Sequence, residues 1–390
     1  MTNTQKPIGQ SGDFEIVIGS SSSCELHLSA AEVPGIAKRH ARLKRIRDRL
    51  FIQDLGAQQG TYLDGERLAP KTWAEIAPKT QCHIRFGDTP VGIDPQLFRG
   101  RPRLGVHTTP LYYQIKTKMI CQGLFLRAQP GTMTAIMGPA GCGKSSFLDV
   151  LNGYRQPQSG QVFIRRQHEY IALEQARVHE WLGYLPQDDI LIPELTVWQS
   201  LSYCLRLQFI HLDSRIQHYL IRQTCQSLGF DQPQRLKQFL HTQIGSAASG
   251  IQGLSGGERK RANLAHELIS MPLILLLDEP TSGLSSVDAE QIIRLLFELT
   301  QQHELTVIAT IHQPSRDVFQ RFDNLLLMTQ DGRMAYYGPT AQATVYFERL
   351  TATPCGPRNP AEYLLEVLAK APQFLAATAF QPEFTPYVGH

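Results

Sequence analysis

The stretch TAIMGPAGCGKSSF, residues 134–147, decides the fold of this chain. It joins an apolar strand, predicted over 134–137, to a helix predicted over 144–151 through a glycine-rich loop. The glycines let backbone N–H groups turn inward around phosphate oxygens, and the helix N-terminus adds partial positive charge. The pattern therefore predicts a phosphate-binding loop, with Lys144 on the β and γ phosphates and Ser145 on Mg²⁺. The residues predicted to bind nucleotide here are Gly138, Pro139, Ala140, Gly141, Cys142, Gly143, Lys144, Ser145 and Ser146.

A second apolar strand, LILLL at residues 273–277, ends in the carboxylates Asp278 and Glu279. Ligands bind at the carboxyl ends of the strands in open α/β sheets, so we expect both carboxylates near the phosphate loop. Asp278 suits the Mg²⁺ shell, directly or through water. Glu279 is then placed to orient and deprotonate an attacking water molecule, which predicts hydrolysis of the nucleotide.

The segment LSGGERKR, residues 254–261, predicts another anion-binding turn. A serine hydroxyl, a permissive glycine backbone and a helix N-terminus are the parts that such a turn needs. One nucleotide seldom needs two such turns from the same sheet, so this one predicts a dimer that sandwiches nucleotide between the two chains. It adds four residues to the predicted nucleotide site: Ser255, Gly256, Gly257 and Glu258.

Strand and helix periodicities divide the chain into parts. Residues 110–340 alternate apolar strands with helical stretches, which is typical of a largely parallel sheet flanked by helices. Residues 12–95 predict an all-β sandwich, with strands at 14–18, 24–28, 40–46, 50–54, 62–63 and 82–86. We expect a linker over 96–109 and a C-terminal helical extension over 341–390. The predicted fold is multidomain: an N-terminal all-β sandwich, then an α/β P-loop ATPase domain with a helical subdomain.

The composition, with 42% hydrophobic and 19% charged residues in 390, is that of a soluble globular protein. A net charge of +3 gives no global attraction to nucleic acid. The seven cysteines form no disulfide or zinc-ligand spacing, so we expect free thiols in a reducing compartment. The longest apolar runs fall far short of the ~20 residues of a transmembrane helix, and no secretory signal is visible. We therefore expect a cytoplasmic chain that does not cross a membrane by itself.

Together with IHQPS at residues 311–315, these motifs resemble the nucleotide-binding domain of ABC transporters. GERKR at 257–261, IHQPS, and NPAE at 359–362 resemble more narrowly the G subfamily, the eye-pigment-precursor and lipid or drug exporter type. The resemblance covers residues from about 110 to 368. It implies ATP and Mg²⁺ as cofactors, a second ATPase chain as dimer partner, a transmembrane permease, and export.

The resemblance also implies roles for individual residues. Gln187, in YLPQD at 184–188, matches the loop glutamine that touches Mg²⁺ and faces the permease. His312 matches the histidine that contacts the γ-phosphate, and Tyr113, with Tyr112 as the alternative, matches the ring that stacks on adenine. The implied catalytic set is Glu279, His312, Lys144 and Gln187, and the implied metal set is Ser145, Gln187 and Asp278.

One departure from the family pattern falls after Glu279, where the usual Ser-Gly-Leu-Asp is here SGLS, residues 282–285. The family's aspartate couples the two nucleotide sites of the dimer. Ser285 therefore predicts that hydrolysis survives while communication between the sites is weakened.

The N-terminal part resembles a forkhead-associated (FHA) domain, a β-sandwich whose loops bind phosphothreonine peptides. The resemblance rests on residues 18–19, 39–41, 52–56, 60–65 and 86–88. Three ligand positions of that family are altered, at Ser20, Ala37 and Gln59, so we expect weak or absent phosphothreonine binding. Seven basic residues within 38–49 could meet a phosphopeptide, anionic lipid or nucleic acid, but a solvated sheet face is the favoured interpretation.

Two functions remain open at this point. The first is the ATPase subunit of a G-type exporter at the cytoplasmic face of a membrane, with an FHA domain for regulation or assembly. The sequence ends 28 residues after Glu362, near where the first membrane helix of the family would begin. The permease could therefore be a separate chain, or the sequence could be a fragment. The second is a soluble, ATP-switched scaffold for a protein partner. A nucleic-acid-linked ATPase is not favoured, because no long coiled-coil insertion separates Gln187 from Ser255.

Overall fold

The computed structural model describes residues 14–31, 33–46, 49–76, 83–91, 103–166, 169–174, 181–208, 214–245, 250 and 252–370. It forms two compact units. The first comprises Met1–Pro102 and Ile190–Met271, and the second comprises Arg103–Asp189 and Pro272–His390.

The N-terminal part of the first unit is a sandwich of two sheets, as the alternating pattern predicts. One sheet has the strand order β2-β1-β3-β4-β7 and the other β6-β5-β8-β9. Alternate apolar side chains such as Ile18, Ile52 and Phe86 are fully buried between the sheets. The strands are β1 Phe14–Gly19, β2 Leu26–His27, β3 Ala41–Ile46, β4 Arg49–Asp54, β5 Thr61–Leu63, β6 Glu66–Arg67, β7 Trp73–Ile76, β8 Ile84–Phe86 and β9 Thr89–Val91.

Three of these strands, β6, β7 and β9, are absent from the sequence prediction. Each is only two to four residues long, which is too short for a period-2 pattern to stand out. The predicted strand 24–28 is a strand only at Leu26–His27. Cys82, in the predicted strand 82–86, lies outside the described residues.

The helices of the described residues fall in both units. Their bounds are α1 Lys144–Leu151, α2 Val197–Gln208, α3 Ser214–Ser227, α4 Pro233–His241, α5 Gly256–Leu268, α6 Ser286–His303, α7 Arg316–Phe319, α8 Thr340–Thr351 and α9 Pro360–Lys370. Helices α2 to α5 form the predicted helical subdomain and belong to the first unit. Their contacts bury one apolar stripe on each helix, including Leu205 and Phe239.

The second unit is built on a six-stranded sheet with the order β17-β18-β19-β14-β20-β21. All neighbours pair in parallel except β20 and β21. The carboxyl ends of β14, β18 and β19 therefore lie side by side at one edge of the sheet, where ligands bind in α/β folds. The bounds are β14 Met133–Met137, β17 Leu182–Leu185, β18 Ile274–Leu277, β19 Thr306–Thr310, β20 Asn324–Met328 and β21 Met334–Pro339.

Antiparallel strands complete the second unit in two further sheets, β13-β10-β15-β16 and β11-β12. Their bounds are β10 Leu104–Thr108, β11 Leu111–Ile115, β12 Lys118–Leu124, β13 Arg127–Ala128, β15 Val162–Arg166 and β16 Glu169–Ala172. Strand β10 occupies part of the stretch 96–109 for which the sequence predicts a linker. Leu104 and Val106 are buried in the core, and Gly105 leaves room for the close carbonyl of Ala128. The sequence does not predict this strand because it is short, contains a glycine and has two prolines nearby.

The C-terminal helices α8 and α9 pack on each other, and α9 also packs on α7. The side-chain amide of Asn359 donates to the carbonyl oxygen of Pro314 at 2.8 Å. Arg316 donates to the carbonyl oxygens of Pro357 and Arg358 at 3.0 and 2.7 Å. These bonds tie the segment before α9 to the loop that follows His312. The predicted extension beyond residue 370 lies outside the described residues.

Within the ranges that the structure describes, no helix combines the length and the apolar character that a membrane span requires.

Candidate functional site

The glycine-rich loop between β14 and α1 has the backbone that a phosphate cradle needs. Gly141 and Gly143 have φ angles of +71° and +105°, in the region that side chains with a Cβ rarely adopt. A Cβ on Gly143 would lie 2.5 Å from Cγ2 of Ile120, so glycine is required there for space as well. Gly143 precedes α1 without a side-chain cap, so the first N–H groups of the helix remain available to an anion.

Lys144 lies in the loop with 6% of its surface exposed. Its ammonium group donates to the carbonyl oxygens of Gly138 and Pro139, both at 3.0 Å. A buried ammonium at the start of a helix without a side-chain cap fits a phosphate ligand, because a buried cation is stabilised by an opposite charge.

The two carboxylates at the end of β18 meet the end of β19. Asp278 is buried, and its Oδ1 accepts a hydrogen bond from the Thr310 hydroxyl at 2.6 Å. The backbone N–H of Glu279 donates to the same hydroxyl oxygen at 2.8 Å. Glu279 has a φ of +46°, in the left-handed region, so its side chain leaves the strand direction at this turn. A carboxylate held in this way is a ligand type that Mg²⁺ accepts.

A cavity of about 570 Å³ is lined by nine of the eighteen predicted site residues, including all four of the implied catalytic set. Gln187 and Glu279 are in contact across it, with the amide Nε2 of Gln187 donating to Oε2 of Glu279 at 3.3 Å. The residues that line the cavity are Lys118, Ile120, Ala140, Gly141, Gly143, Lys144, Ser145, Ser146, Gln187, Glu279 and His312. The structure thus brings the phosphate loop, the candidate base and the candidate γ-phosphate sensor to one place.

Tyr113 does not line this cavity. Its ring is 8% exposed and packs in the core, and its hydroxyl accepts a hydrogen bond from Arg155 at 3.2 Å. A ring that stacks on adenine needs a free face, which Tyr113 lacks in this structure. Tyr112 is 44% exposed but is also not among the lining residues. Lys118 and Ile120, from the next strand, occupy the wall beside the loop instead.

The turn at Ser255 belongs to the first unit, and the phosphate loop belongs to the second. Ser255 caps α5: its hydroxyl accepts from the Glu258 N–H at 3.3 Å, and the Glu258 carboxylate accepts from the Ser255 N–H at 3.1 Å. This reciprocal capping box fixes the start of the helix, and Gly256, its first residue, is exposed.

Ser285, the departure from the family pattern, caps α6. Its hydroxyl accepts from the backbone N–H of Asp288 at 3.2 Å and donates to the Asp288 carboxylate at 2.7 Å. An aspartate could accept the same N–H bond, but it could not donate to the Asp288 carboxylate. The serine therefore fits this turn, in which a second acid stands three residues into the helix.

A polar cluster links α1 to the strand that leads to Gln187. Asp149 on α1 pairs with Arg155 at 2.8 Å and accepts from the Tyr184 hydroxyl at 3.3 Å. Burial, followed by the Asp149 carboxylate, raises the pKa of Tyr184, so that its hydroxyl stays protonated as a donor. We name Asp149, Arg155 and Tyr184 the Asp149 cluster.

The thiol of Cys142 lies buried inside the phosphate loop. Burial raises its pKa, and it raises the pKa of neighbouring Cys121 to about 12. Both thiols are therefore neutral near pH 7 and place no negative charge beside the phosphate site.

Sequence reasoning missed Lys118, Ile120 and Thr310. The first two lie in a hairpin whose position beside the loop depends on tertiary packing. Thr310 ends a predicted strand two residues before His312, and a hydroxyl at a strand end next to a functional residue is a signal that could have found it.

The FHA-like part keeps its framework. His40 is fully buried, with its ring nitrogens 3.2 Å from the Ala37 N–H and from the Gly60 carbonyl oxygen. Ser20 donates its N–H to Ala37 at 3.0 Å, so two altered ligand positions lie side by side. The side chain of Gln59, the third, lies against the backbone of Gly35, where a Cβ would collide with its amide.

Comparison with known proteins matches three stretches of the chain to family models. Residues 121–282 match the family model described as ABC transporter, residues 16–87 match that of the FHA domain, and residues 312–386 match that described as ABC-2 type transporter. The expected ABC-type ATPase and FHA-like domains are confirmed.

Similar curated proteins belong to the G subfamily, as expected. ABC transporter G family member 22 of Arabidopsis thaliana is 37% identical over 253 residues, which are 64% of this chain and 32% of that protein. Protein white of Drosophila melanogaster is 37% identical over 252 residues, which are 63% of this chain and 35% of that protein. The chain thus spans about a third of the length of these relatives.

Solved structures share the fold. The chain resembles cbiO1 from Clostridium perfringens, part of the ABC transporter complex cbiONQ, with a TM-score of 0.51 and 23% identity over 71% of this chain and 98% of that one. A bacterial Atm1-family ABC exporter with ATP bound gives a TM-score of 0.51 and 24% identity over 63% of this chain and 40% of that one. At these identities the likeness concerns the fold.

Proposed function

We propose that this chain, which contains the ATP-binding domain of the ABC transporter family behind an FHA domain, is the ATPase subunit of a G-type exporter. The observation that carries the proposal is the Gln187–Glu279 contact inside the cavity that also holds Lys144, Ser145 and His312. A phosphate cradle, a carboxylate base and a histidine in one cavity are the parts that phosphoryl transfer to water needs.

Each residue has a place in the proposed chemistry. Mg-ATP, when bound, supplies the γ-phosphoryl group and the cation that offsets its charge. Residues 138–146 bind the phosphates, Lys144 neutralises them, and Ser145, Gln187 and Asp278 hold the cation. Glu279 takes the proton of the attacking water at its carboxylate, and His312 donates to the γ-phosphate. Adenine contact by Tyr113 would require its ring to leave the core.

Two chains are proposed to close around two nucleotides. In support, the Ser255–Glu258 turn has its own helix N-terminus, with Ser255 and Gly256 exposed to a ligand. Each turn would complete the site on the phosphate loop of the partner. The transmembrane permease is proposed to be separate from residues 1–370, and the FHA domain to regulate or assemble the complex at the cytoplasmic face. No nucleic acid is expected to bind.

The test uses the purified chain with Mg-ATP. Glu279→Gln keeps the shape of the site but removes the base, so we expect ATP to bind, hydrolysis to fall at least about 100-fold, and an ATP-stabilised dimer to accumulate. Lys144→Ala should abolish both hydrolysis and dimer formation. A Glu279→Gln chain that stays monomeric with saturating ATP would contradict the proposed nucleotide-sandwich dimer. A wild-type chain without ATPase activity would contradict the proposed enzymatic function.

A further inference from the structure

The Thr310 hydroxyl is both a hydrogen-bond donor and an acceptor, and its two partners are the acidic residues Asp278 and Glu279 of the site. It is fully buried at the end of β19, donates to Oδ1 of Asp278 at 2.6 Å, and accepts from the N–H of Glu279 at 2.8 Å. A hydroxyl has one hydrogen to donate, so the direction of both bonds is fixed.

Each bond constrains a different part of the site. The bond to Oδ1 fixes the plane of the Asp278 carboxylate, and a hydrogen bond to a charged acceptor is the stronger kind. The bond from the Glu279 N–H holds a non-glycine residue at a φ of +46°, a conformation that surrounding contacts must stabilise. One side chain therefore sets both the direction of the carboxylate proposed to bind the cation and the backbone of the proposed base.

We propose that Thr310 is a positioning residue for both cation binding and water activation. Removal of its hydroxyl therefore weakens both together. The proposal rests on the proposed ATPase function. Residues that orient metal ligands through hydrogen bonds change metal affinity or activity by about 10–100-fold when they are replaced.

The same strand offers a matched control. Thr306, at the other end of β19, is equally buried and makes the same pair of bonds, donating to the Leu104 carbonyl oxygen at 2.6 Å and accepting from the Gly131 N–H at 3.0 Å. Thr306→Val and Thr310→Val thus each remove one donated and one accepted bond of a buried hydroxyl, but only the second change affects Asp278 and Glu279.

The experiment compares wild type, Thr310→Val and Thr306→Val as full chains. ATP turnover is measured against Mg²⁺ concentration, and Mn²⁺ binding to the ATP-bound chain is measured by electron paramagnetic resonance, which does not depend on turnover. We expect Thr310→Val to lower turnover about 10–100-fold and weaken Mn²⁺ by about tenfold or more, while Thr306→Val keeps both near wild type and changes only the melting temperature.

Equal behaviour of the two valine variants would overturn the proposal, because it would show a purely structural hydroxyl. Thr310→Ser, which keeps the hydroxyl, should retain turnover and Mn²⁺ affinity within about threefold, and it decides the question if Thr310→Val does not fold. A serine variant with both lost would contradict the proposal. A wild-type chain that binds Mn²⁺ and ATP normally but does not turn over ATP would contradict the proposed ATPase function. In that case, a loss of Mn²⁺ affinity in Thr310→Val would still support the positioning role.

Discussion

The side-chain amide of Gln187 donates a hydrogen bond to the carboxylate of Glu279, although the two residues are 92 positions apart in the chain. The first follows β17 and the second follows β18, and these strands are parallel neighbours. Adjacent strand ends thus place Gln187 against the candidate base.

This contact predicts that Gln187 tunes Glu279. Gln187→Ala removes the donor, and we expect ATP turnover to fall by about tenfold with little change in ATP binding, since the amide orients the base. Gln187→Glu places a second carboxylate there and should be more damaging, because like charges repel. Turnover and equilibrium binding of a fluorescent ATP analogue check the split. Wild-type turnover in Gln187→Ala would contradict this prediction.

Ser285 allows a test of coupling at a helix cap. Ser285→Asp keeps an acceptor for the Asp288 N–H but loses the donor to the Asp288 carboxylate, so we expect a small fall in melting temperature. If the missing aspartate weakens communication between sites, the variant should raise the Hill coefficient for ATP in the turnover assay. Ser285→Ala is the control, and should cost about 1 kcal/mol of unfolding free energy through loss of the cap. Unchanged rate and cooperativity in Ser285→Asp would mean that this turn does not limit coupling.

The Asp149 cluster predicts a stabilising link between α1 and β17. Asp149→Ala removes the acceptor of both Arg155 and Tyr184, and we expect a loss of about 1–2 kcal/mol in unfolding free energy. Tyr184→Phe removes only the hydroxyl bond and should cost less, about 1 kcal/mol. Chemical denaturation measures both. A Tyr184→Phe chain less stable than Asp149→Ala would contradict this prediction, because the hydroxyl would then contribute more than its bond to Asp149.

A buried histidine predicts a pH dependence of stability. Burial, followed by the charges of Arg165 and Arg127, lowers the pKa of His107 to about 4 from its ordinary 6.5. The unfolded chain then binds a proton that the folded chain refuses, so unfolding free energy falls as pH drops from about 6.5 to about 4. The full effect is about 3 kcal/mol.

His107→Phe keeps a ring on the same face of the sheet and removes the titrating group. Denaturation curves of this variant should lose that part of the pH dependence between about pH 6.5 and 4, relative to wild type. Identical slopes in the two chains would assign the acid sensitivity to other groups.

The altered ligand positions of the FHA domain predict weak or absent binding of phosphothreonine peptides. With Ser20 in place of the family's arginine, the loop lacks its bidentate phosphate donor. A phosphothreonine peptide array with the full chain measures this, and unphosphorylated peptides are the control. Tight binding that Arg39→Ala abolishes would overturn the prediction, because the exposed Arg39 would then be a substitute donor.

The sequence is most informative where chemistry and backbone geometry coincide. Gly141 and Gly143 are needed for their positive φ angles, Lys144 for its charge, and Asp278 for its place after an apolar strand. These positions can therefore be predicted from the sequence alone. Tyr113 shows the limit, because the choice between a stacking ring and a core ring depends on which side of a twisted hairpin faces the loop. Thr310 shows another limit, since its role arises only when β18 and β19 pair.

Short strands are not predicted from the sequence for a related reason. Strand β10 is held by its pairing with β13 and β15 and by the burial of Leu104 and Val106, none of which can be read from a short stretch of sequence. The proline and glycine content that predicts a linker there is equally compatible with a strand that begins and ends abruptly.

The Asn359–Pro314 bond ties the segment before α9 to the loop that carries His312. Arg316 adds two hydrogen bonds to the same segment, through the carbonyl oxygens of Pro357 and Arg358. A displacement of α9 would therefore either break three hydrogen bonds or move that loop. Under the proposed ATPase function, tension on α9 would change the position of His312 in the nucleotide site.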